Sequence, residues 1–529
     1  MKITKKLVAL VMAVIMSFSV FGCSGSKSGS GDTSDITLVY ALAGAWSTLM
    51  PYNASDSFCG VTWDQIYDRL FYVSGSCELQ SRACESYETN NNVWTFHLNK
   101  ASKWHDGQAV TADDWIYTLN LLANKDFTGS VRSIVSKIEG TDSSGIETSS
   151  GSLKVSKVDD YTFTMTMKED VPFESFWLNY NKGLYVLPEH LLKDKPASGV
   201  ASDSFWFSPV GSGPCKYESD IAGSELTLAS FSDYYLGAPK FGHLVLRVMD
   251  QSNFINSLLA NEIDLEWIFL GIDDALAIKD NPNVSVLTNT QADFLELMVY
   301  NNDSLKDNRW RQALTMAIDR NTLNEGFYAG TGQVFDNWIH PDSSCAPSDA
   351  SSKYVYKYDP DAAKKLLQES GFDFNYEVKI VCNTASREKQ CAMVQQWLAN
   401  IGVKSSVQHL DSATMWNGMF EGKYDICMMG LMPTTDPWTL EPIFDVNATT
   451  YGSYKDPKIT QMYADAKAEK DPAKQKEMLQ QLMDYFYEQC PNCNVIWKKS
   501  YAGTSTRLTN ADVFGANYYN NDTWNWIVK

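Results

Sequence analysis

Residues 376–408 place a helix pattern between two strand patterns, and this order constrains the fold more than any other stretch of the chain. Residues 376–382 (YEVKIVC) and 403–408 (VKSSVQ) are predicted strands, because apolar and β-branched residues dominate both. Residues 386–400 between them are predicted to form a helix. A strand–helix–strand unit of this length favours two parallel strands joined by a right-handed crossover. The sequence therefore predicts an α/β fold.

Helix start signals support this interpretation. Asp359 precedes Pro360, and Asp471 precedes Pro472, which is the arrangement of an N-cap followed by proline at the first helical position. Gly371 provides a stop for the first of these helices. The other predicted elements are strands over 93–99 and 161–167 and helices over 111–122, which opens with a capping box, and 309–320 (RWRQALTMAIDR).

The charge balance excludes one class of partner. The 529 residues include 44 Lys and Arg against 64 Asp and Glu, a formal net charge of −20. Nucleic-acid binding needs a basic surface, so no nucleic-acid partner is expected. The six histidines are dispersed and the eleven cysteines show no second CxxC beside CPNC (490–493), so no metal site and no cofactor are expected. Free buried thiols are the expected state, although an exported chain could pair them.

Motifs that resemble catalytic sites have a structural interpretation. WHDG (104–107) places His beside Asp, but Asp-Gly is a turn signal. GSGP (211–214) lacks the following GK[ST] of a phosphate loop. Asp273 and Asp274 could serve as paired carboxylates of a glycosidase, yet adjacent acids are usually solvated. The chain is therefore expected not to be an enzyme.

The N-terminus predicts export and anchoring. Residues 1–22 have a positively charged start and an uncharged apolar run, the layout of a signal peptide. Cys23 follows Gly22 in an arrangement similar to a bacterial lipobox, which predicts cleavage and lipid attachment to Cys23. Residues 23–35 are rich in Gly and Ser and are expected to form a flexible linker. The expected location is the outer face of the cytoplasmic membrane, lipid-anchored, or facing the periplasm.

Six segments in sequence resemble the extracellular solute-binding proteins of ABC importers, family 5, which includes oligopeptide-, dipeptide- and nickel-binding proteins. They extend over most of the chain from about residue 40 onward. The segments are RACESYETNNNVWTFHLNKASKWHDGQAVTADDWIYTLN (82–120), SPVGSGPCKYES (208–219), YYLGAPKFGHLVLRVMDQSNFINSLLANEIDL (234–265), RWRQALTMAIDR (309–320), YDPDAAKKLL (358–367) and GKYDICMMG (422–430).

The resemblance implies a two-lobed, periplasmic-binding-protein-like α/β fold of type II with a ligand cleft between the lobes. Lobe I is expected over 36–290, with an extra domain at about 70–199, and lobe II over 291–499. Residues 500–529 are expected to return to lobe I. The expected partners are a solute and an ABC permease and ATPase complex, and the protein is expected to be a monomer.

The resemblance also places candidate ligand-binding residues on the cleft. Peptide binders of the family use an acid after the strand that begins in GKYDICMMG to bind the peptide ammonium. Here threonines stand where that acid is expected, Met428 occupies a position that is basic in one oligopeptide binder, and Asp436 is the remaining acid. Asp436 has a second interpretation, as the cap of a helix beginning at Pro437. The candidates are Trp46, Trp267, Met432, Thr434, Thr435, Asp436 and Trp438, with Met428 expected in the strand core.

The expected function is capture of an oligopeptide or dipeptide by lobe closure and delivery to a permease. Two alternatives stay open at this point. A sugar or another neutral solute could stack on the tryptophan faces, and a peptide-pheromone or sensory receptor could use the same fold.

Overall fold

The computed structural model describes residues 35–53, 57–73, 79–129, 132, 134–148, 151–168, 173, 176–177, 184–267, 272–288, 294–301, 303–341, 343, 345–431, 437–444, 456–469, 471–511 and 522–529. The predicted signal peptide, Cys23 and nearly all of the predicted linker lie outside these ranges.

Twenty strands are assigned in the described ranges. They are β1 Thr37–Leu42, β2 Phe71–Val73, β3 Leu79–Ser81, β4 Cys84–Asn90, β5 Val93–Leu98, β6 Val155–Asp159, β7 Thr162–Thr166, β8 Cys215–Ile221, β9 Glu225–Ser230, β10 His243–Val248, β11 Leu265–Trp267, β12 Val284–Thr288, β13 Phe294–Tyr300, β14 Glu377–Cys382, β15 Lys404–His409, β16 Ile426–Leu431, β17 Asn492–Lys498, β18 Tyr501–Ser505, β19 Leu508–Thr509 and β20 Ile527–Val528.

The α-helices of the same ranges are α1 Ser57–Ile66, α2 Ala112–Ala123, α3 Glu189–Leu192, α4 Ala197–Val200, α5 Phe254–Leu259, α6 Ile272–Ile278, α7 Asn308–Met316, α8 Arg320–Tyr328, α9 Ala350–Lys353, α10 Pro360–Glu369, α11 Ala385–Asn400, α12 Ser412–Phe420, α13 Glu441–Phe444, α14 Pro457–Ala468 and α15 Pro472–Gln489. Short 3-10 helices include Pro437–Leu440 and Thr523–Asn525.

Lobe I is built on a seven-stranded sheet in the order β12-β18-β11-β1-β10-β9-β8. The central strands β10, β1 and β11 are parallel to one another. A separate antiparallel sheet, β4-β5-β7-β6, lies within the segment predicted as the extra domain. Both sheets contribute to one large apolar cluster. The exact domain boundaries stay predictions.

Lobe II is built on a five-stranded sheet in the order β15-β14-β16-β13-β17. The predicted strand–helix–strand unit is present, because β14 and β15 are parallel and α11 lies between them in the chain. The two faces of the sheet are covered by separate apolar clusters, as alternating side chains of each strand require. Met428 is fully buried in β16, which confirms its predicted place in the strand core.

Helix caps explain where the helices begin and why one helix ends earlier than predicted. Asp359 Oδ1 accepts the backbone N–H of Ala362 at 2.9 Å, and Asp471 Oδ1 accepts that of Ala473 at 2.9 Å. The helix predicted over 309–320 is α7, which ends earlier, at Met316. Asp319 begins the next helix, α8, because its carboxylate accepts the N–H of Thr322 at 3.1 Å.

Nine cysteines fall within the described ranges; all nine are buried, as expected, and none of them forms a disulfide within those ranges. Among the residues that the structure describes, no helix is both long and apolar enough to cross a membrane. The same residues contain no cluster of three His, Cys, Asp or Glu side chains that could hold a metal ion.

Candidate functional site

Strand directions in lobe II bring several strand ends to one edge of the sheet. β16 and β15 run parallel to β14, whereas β13 runs antiparallel to both β16 and β17. The carboxyl ends of β14, β16 and β17 therefore lie beside the amino end of β13. The chain enters lobe II just before β13 and leaves it just after β17, so this edge faces lobe I.

Lobe I has a corresponding edge. The carboxyl ends of the parallel strands β1, β10 and β11 lie together, beside the end of β12 and the start of β18. The two connections between lobes thus join this edge to the edge just described in lobe II. Open α/β sheets bind ligands outside the carboxyl ends of their strands, so the candidate site lies between the two edges.

Two of the predicted tryptophans lie at the lobe I edge. Trp46 follows β1 and packs, half-buried, against the large apolar cluster. Its loop is held by Ser47, whose backbone N–H contacts the Cys59 sulfur at 3.2 Å. Trp267 is the last residue of β11 and lies opposite Leu42 of β1; the structure describes its strand position and not its side chain.

A buried acid precedes Trp267. Glu266 is 1% exposed, and one of its oxygens accepts the N–H of Gly503 at 3.1 Å. The other oxygen has no hydrogen-bond partner within the described ranges. Burial raises the pKa of this carboxyl to about 7, opposed by the Gly503 hydrogen bond and reinforced by the negative charge of Asp274. Glu266 therefore carries a proton in mildly acidic solution.

An ion cluster of three residues occupies the lobe II edge, formed by Glu296 of β13, Arg387 of α11 and Lys498 of β17. Arg387 donates from Nε to Glu296 Oε2 at 2.7 Å and from Nη2 to Oε1 at 3.1 Å. Lys498 Nζ donates to the same Oε1 at 2.7 Å. The cluster has two cations and one anion, so its formal charge is positive.

The local backbone explains how Glu296 reaches both cations. The pairing of β13 with β17 shifts between Glu296 and Leu297, which is a bulge of the kind that redirects side chains near binding sites. Arg387 lies in the first turn of α11 and also donates from Nη1 to Asn383 Oδ1 at 2.8 Å. The side chains of Glu296, Arg387 and Lys498 are 5%, 13% and 32% exposed. Lys498 is therefore the member most accessible to a solute.

The remaining predicted residues lie on the segment that leaves β16. Met432, Thr434, Thr435 and Asp436 fall outside the described residues. Trp438 is half-buried on the 3-10 helix Pro437–Leu440 and packs against the lobe II core. Its ring centroid lies 5.9 Å from that of Tyr463 in α14, and the Tyr463 hydroxyl donates to the Pro437 carbonyl at 2.8 Å.

The motifs interpreted as structural have structural contacts. Both ring nitrogens of His105 bond to backbone groups, at 3.0 Å to the Gly213 carbonyl and 3.1 Å from the Gly211 N–H. A Cβ on Gly211 would lie 1.9 Å from the Ile66 carbonyl oxygen, so glycine is required there for close packing. Asp273 and Asp274 are exposed in the first turn of α6.

None of the three members of the ion cluster was predicted from the sequence. The family resemblance pointed to a cation next to the β16 strand, whereas Arg387 and Lys498 come from other parts of the chain. The pairs are 91 and 202 residues apart in sequence, so no local spacing pattern links them. Their positions did carry a signal, because each lies at or just beyond a strand end on the edge predicted to face the cleft.

Two α/β lobes joined by two neighbouring connections, with polar groups on the facing edges, define a two-lobed solute-binding protein. The sequence model of the bacterial extracellular solute-binding proteins, family 5, matches residues 78–451. The chain belongs to this family, whose members serve ABC importers as binding proteins and are extracellular or periplasmic.

Individual relatives agree with this assignment. The oligopeptide-binding protein AppA of Bacillus subtilis is 22% identical over 99% of each chain. Its structure with a nonapeptide has a TM-score of 0.70, at 21% identity over 94% of this chain and 99% of AppA. A putative ABC transporter peptide-binding protein of Brucella ovis is 25% identical over 85% of each chain. NikZ of Campylobacter jejuni, in complex with Ni(L-His), has a TM-score of 0.69, at 20% identity over 93% of this chain and 99% of NikZ.

Proposed function

We propose that this protein captures a peptide, an oligopeptide or dipeptide, by closure of its two lobes and delivers it to an ABC permease. The observation that carries the proposal is the positively charged ion cluster of Glu296, Arg387 and Lys498 on the edge facing lobe I. The peptide-binding relatives from Bacillus and Brucella support the same class of solute. NikZ shows that the fold alone does not decide the solute.

The charge of the cluster favours a solute with a carboxylate. Among the described residues, Glu296 is the acid that both cations contact, and the cluster lies in a partly buried position where electrostatic interactions are stronger than in water. A peptide C-terminus can accept charge-assisted hydrogen bonds from Lys498 and Arg387. A neutral oligosaccharide, the alternative solute, has no carboxylate to accept them.

The other contacts of the proposed complex come from the predicted site residues. Trp46 and Trp267 would present apolar faces from lobe I, and Trp438 from lobe II. Met432, Thr434 and Thr435 would line the segment after β16. Asp436 would bind the peptide ammonium, because a buried ammonium is costly without an anionic partner.

The protein would work at the membrane that holds its permease. Cys23 would carry a lipid that holds the mature chain at the outer face of the cytoplasmic membrane, with residues 23–35 as a flexible linker. The protein would act as a monomer that presents its solute to the permease and ATPase complex. A pheromone or sensory receptor would use the same capture step without delivery.

A binding experiment tests the assigned solute class. Ligand released from the purified mature protein is identified by mass spectrometry, and the corresponding peptide is titrated in its free-acid and C-terminally amidated forms. We expect amidation to weaken binding by about 2–3 kcal/mol, because the charged partner of Lys498 and Arg387 is lost. The variant Lys498→Met should lose affinity for the free acid and bind the two forms almost equally.

Arg309→Gln provides the matched control, because Arg309 forms an exposed pair with Asp307 in another part of lobe II. Its affinity should equal that of the unchanged protein. Equal binding of acid and amide by the unchanged protein would overturn the role of the cluster. Recovery of a sugar as the released ligand would favour the neutral-solute alternative.

A further inference from the structure

Three sulfur-containing side chains meet on the face of the lobe II sheet that carries the ion cluster. Cys382 is the last residue of β14 and lies opposite Met428 of β16. The Cys391 thiol, from α11, contacts the Met428 sulfur at 3.3 Å. All three residues are fully buried in one apolar cluster, and both thiols are free. The strand register and the helix packing therefore place both cysteines beside Met428, one on the neighbouring strand and one on the helix above it.

The two thiols are chemically unequal. The contact with the Cys391 thiol lowers the pKa of Cys382 below its usual range; burial and the negative charge of Glu388 oppose this effect, and the positive charge of Arg387 supports it. Burial and the contact with Cys382 raise the pKa of Cys391. By contrast, burial raises the pKa of other thiols to about 12, those of Cys84, Cys215, Cys427 and Cys493. Since the thiolate is the attacking species, Cys382 is the reactive thiol of this set.

We infer that Cys382 and Cys391 are a redox-active pair that closes to a disulfide by exchange with a low-molecular-weight disulfide. The Cys382 thiolate attacks one sulfur of the reagent and releases its other half as a thiolate, which leaves a mixed disulfide. Cys391 then loses its proton and attacks the Cys382 sulfur, and the second half of the reagent leaves. Two protein thiols are oxidised, and one reagent disulfide is reduced to two thiols.

Cys382 is fully buried but is the last residue of its strand. Asn383 and Thr384 follow directly and are half-buried and exposed, so local opening at this strand end would admit the reagent. A soft metal ion is the competing occupant, because two thiols and a thioether are ligands that Cu(I) prefers. Two thiolates around a monovalent ion leave a net negative charge, which an apolar cluster disfavours, whereas a disulfide is neutral. The observations therefore favour the disulfide.

The bond would close the segment 382–391, which carries Arg387. Arg387 precedes Cys391 by four residues, one helical turn, and donates to Asn383, the residue after Cys382. Oxidation would thus fix the start of α11 to the strand that supports the ion cluster. The disulfide itself is independent of the solute assignment.

The experiment uses the full mature chain incubated with oxidised glutathione at pH 8, denatured in iodoacetamide without reductant, and digested with trypsin. Cleavage after Arg387 and Lys389 separates the two cysteines unless a disulfide joins their peptides. We expect the linked peptide, with loss of the alkylated forms of Cys382 and Cys391. Cys490 and Cys493 are the internal control, because they are buried with only two residues between them. Both should be alkylated to the same extent with and without oxidised glutathione.

A variant without Cys391 tests the order of the two exchange steps. In Cys391→Ser, Cys382 should retain glutathione because the resolving thiol is missing, and reductant should restore its alkylation. Full alkylation of both cysteines after oxidation of the unchanged protein would overturn the inference. A persistent glutathione adduct on Cys382 without closure would overturn it as well, as would protection of both thiols only by added Cu(I).

Discussion

At the residue scale, Glu266 combines complete burial with an incomplete set of hydrogen bonds. Its folded-state pKa of about 7 lies above its ordinary value of 4.5. Between these pH values the folded chain holds a proton that the unfolded chain has lost, so the free energy of unfolding falls as pH rises through this window. The contribution of Glu266 to stability is fully present below about pH 4.5 and is lost above about pH 7.

Glu266→Gln should remove this dependence. We expect the variant to gain about 3 kcal/mol relative to the unchanged protein between pH 4.5 and 8, because its amide does not titrate. Urea unfolding followed by fluorescence at several pH values measures the difference. Asp273→Asn, an exposed neighbour on α6, serves as the control and should show no such gain. Parallel pH profiles for Glu266→Gln and the unchanged protein would contradict the assigned pKa.

At the element scale, the segment after β16 can be judged by comparison with other helix starts of the chain. Asp precedes Pro at three helices whose caps are described, at Asp359, Asp456 and Asp471, and each carboxylate accepts an N–H of the first turn. The 3-10 helix at Pro437 begins where the sequence predicted a helix start. Capping of the helix at Pro437 is therefore the structural alternative to ammonium binding by Asp436.

Asp436→Asn separates these roles, because Asn caps a helix about as well as Asp but cannot neutralise an ammonium. The proposed function predicts a loss of about 2–5 kcal/mol of affinity for the identified peptide, with an unchanged melting temperature. Calorimetric titration and thermal unfolding measure the two quantities. Asp471→Asn, a cap remote from the proposed cleft segment, is the matched control and should change neither. Unchanged affinity in Asp436→Asn would leave capping as its role.

Elements with local signals could be predicted from the sequence, and features that depend on distant contacts could not. The Asp-Pro helices, the strand–helix–strand unit and buried Met428 follow from local pattern and were confirmed. The helix predicted over 309–320 is present but ends at Met316, because Asp319 caps the next helix, α8. The ion cluster escaped prediction because Glu296 binds side chains supplied by distant segments. The seven predicted site residues stay predictions.

At the scale of the whole molecule, the proposed lipid on Cys23 would hold the binding lobes at the membrane. If Cys23 carries the lipid, Cys23→Ala should leave the protein unprocessed or release it into the medium, since neither the cleavage site nor the lipid acceptor is intact. Fractionation of cells and immunoblotting measure its location and size. Ser24→Ala, which retains the cysteine, should behave like the unchanged protein. Membrane-bound Cys23→Ala at the mature size would contradict lipid anchoring.

The connections between lobes make closure the expected motion. Residues 289–293 join β12 to β13, residues 499–500 join β17 to β18, and both connections leave from the edges that face each other. Two neighbouring connections restrict the lobes mainly to rotation about a shared hinge, whereas separate cores allow each lobe to move as a rigid unit. A solute that contacts both edges binds the closed arrangement better and shifts the population toward it.

Small-angle scattering of the mature protein should therefore show a smaller radius of gyration at saturating peptide than without it. Lys498→Met, compared at the same peptide concentration, should show a smaller decrease, because weaker binding to the ion cluster leaves more molecules open. At a concentration that saturates the variant, its radius should reach that of the closed unchanged protein, since the substitution weakens binding without altering the hinge. Arg309→Gln should follow the unchanged protein throughout. An unaltered radius at proven saturation would exclude closure as the capture step, while an amide-sensitive affinity in the same sample would still assign the carboxylate contact to the cluster.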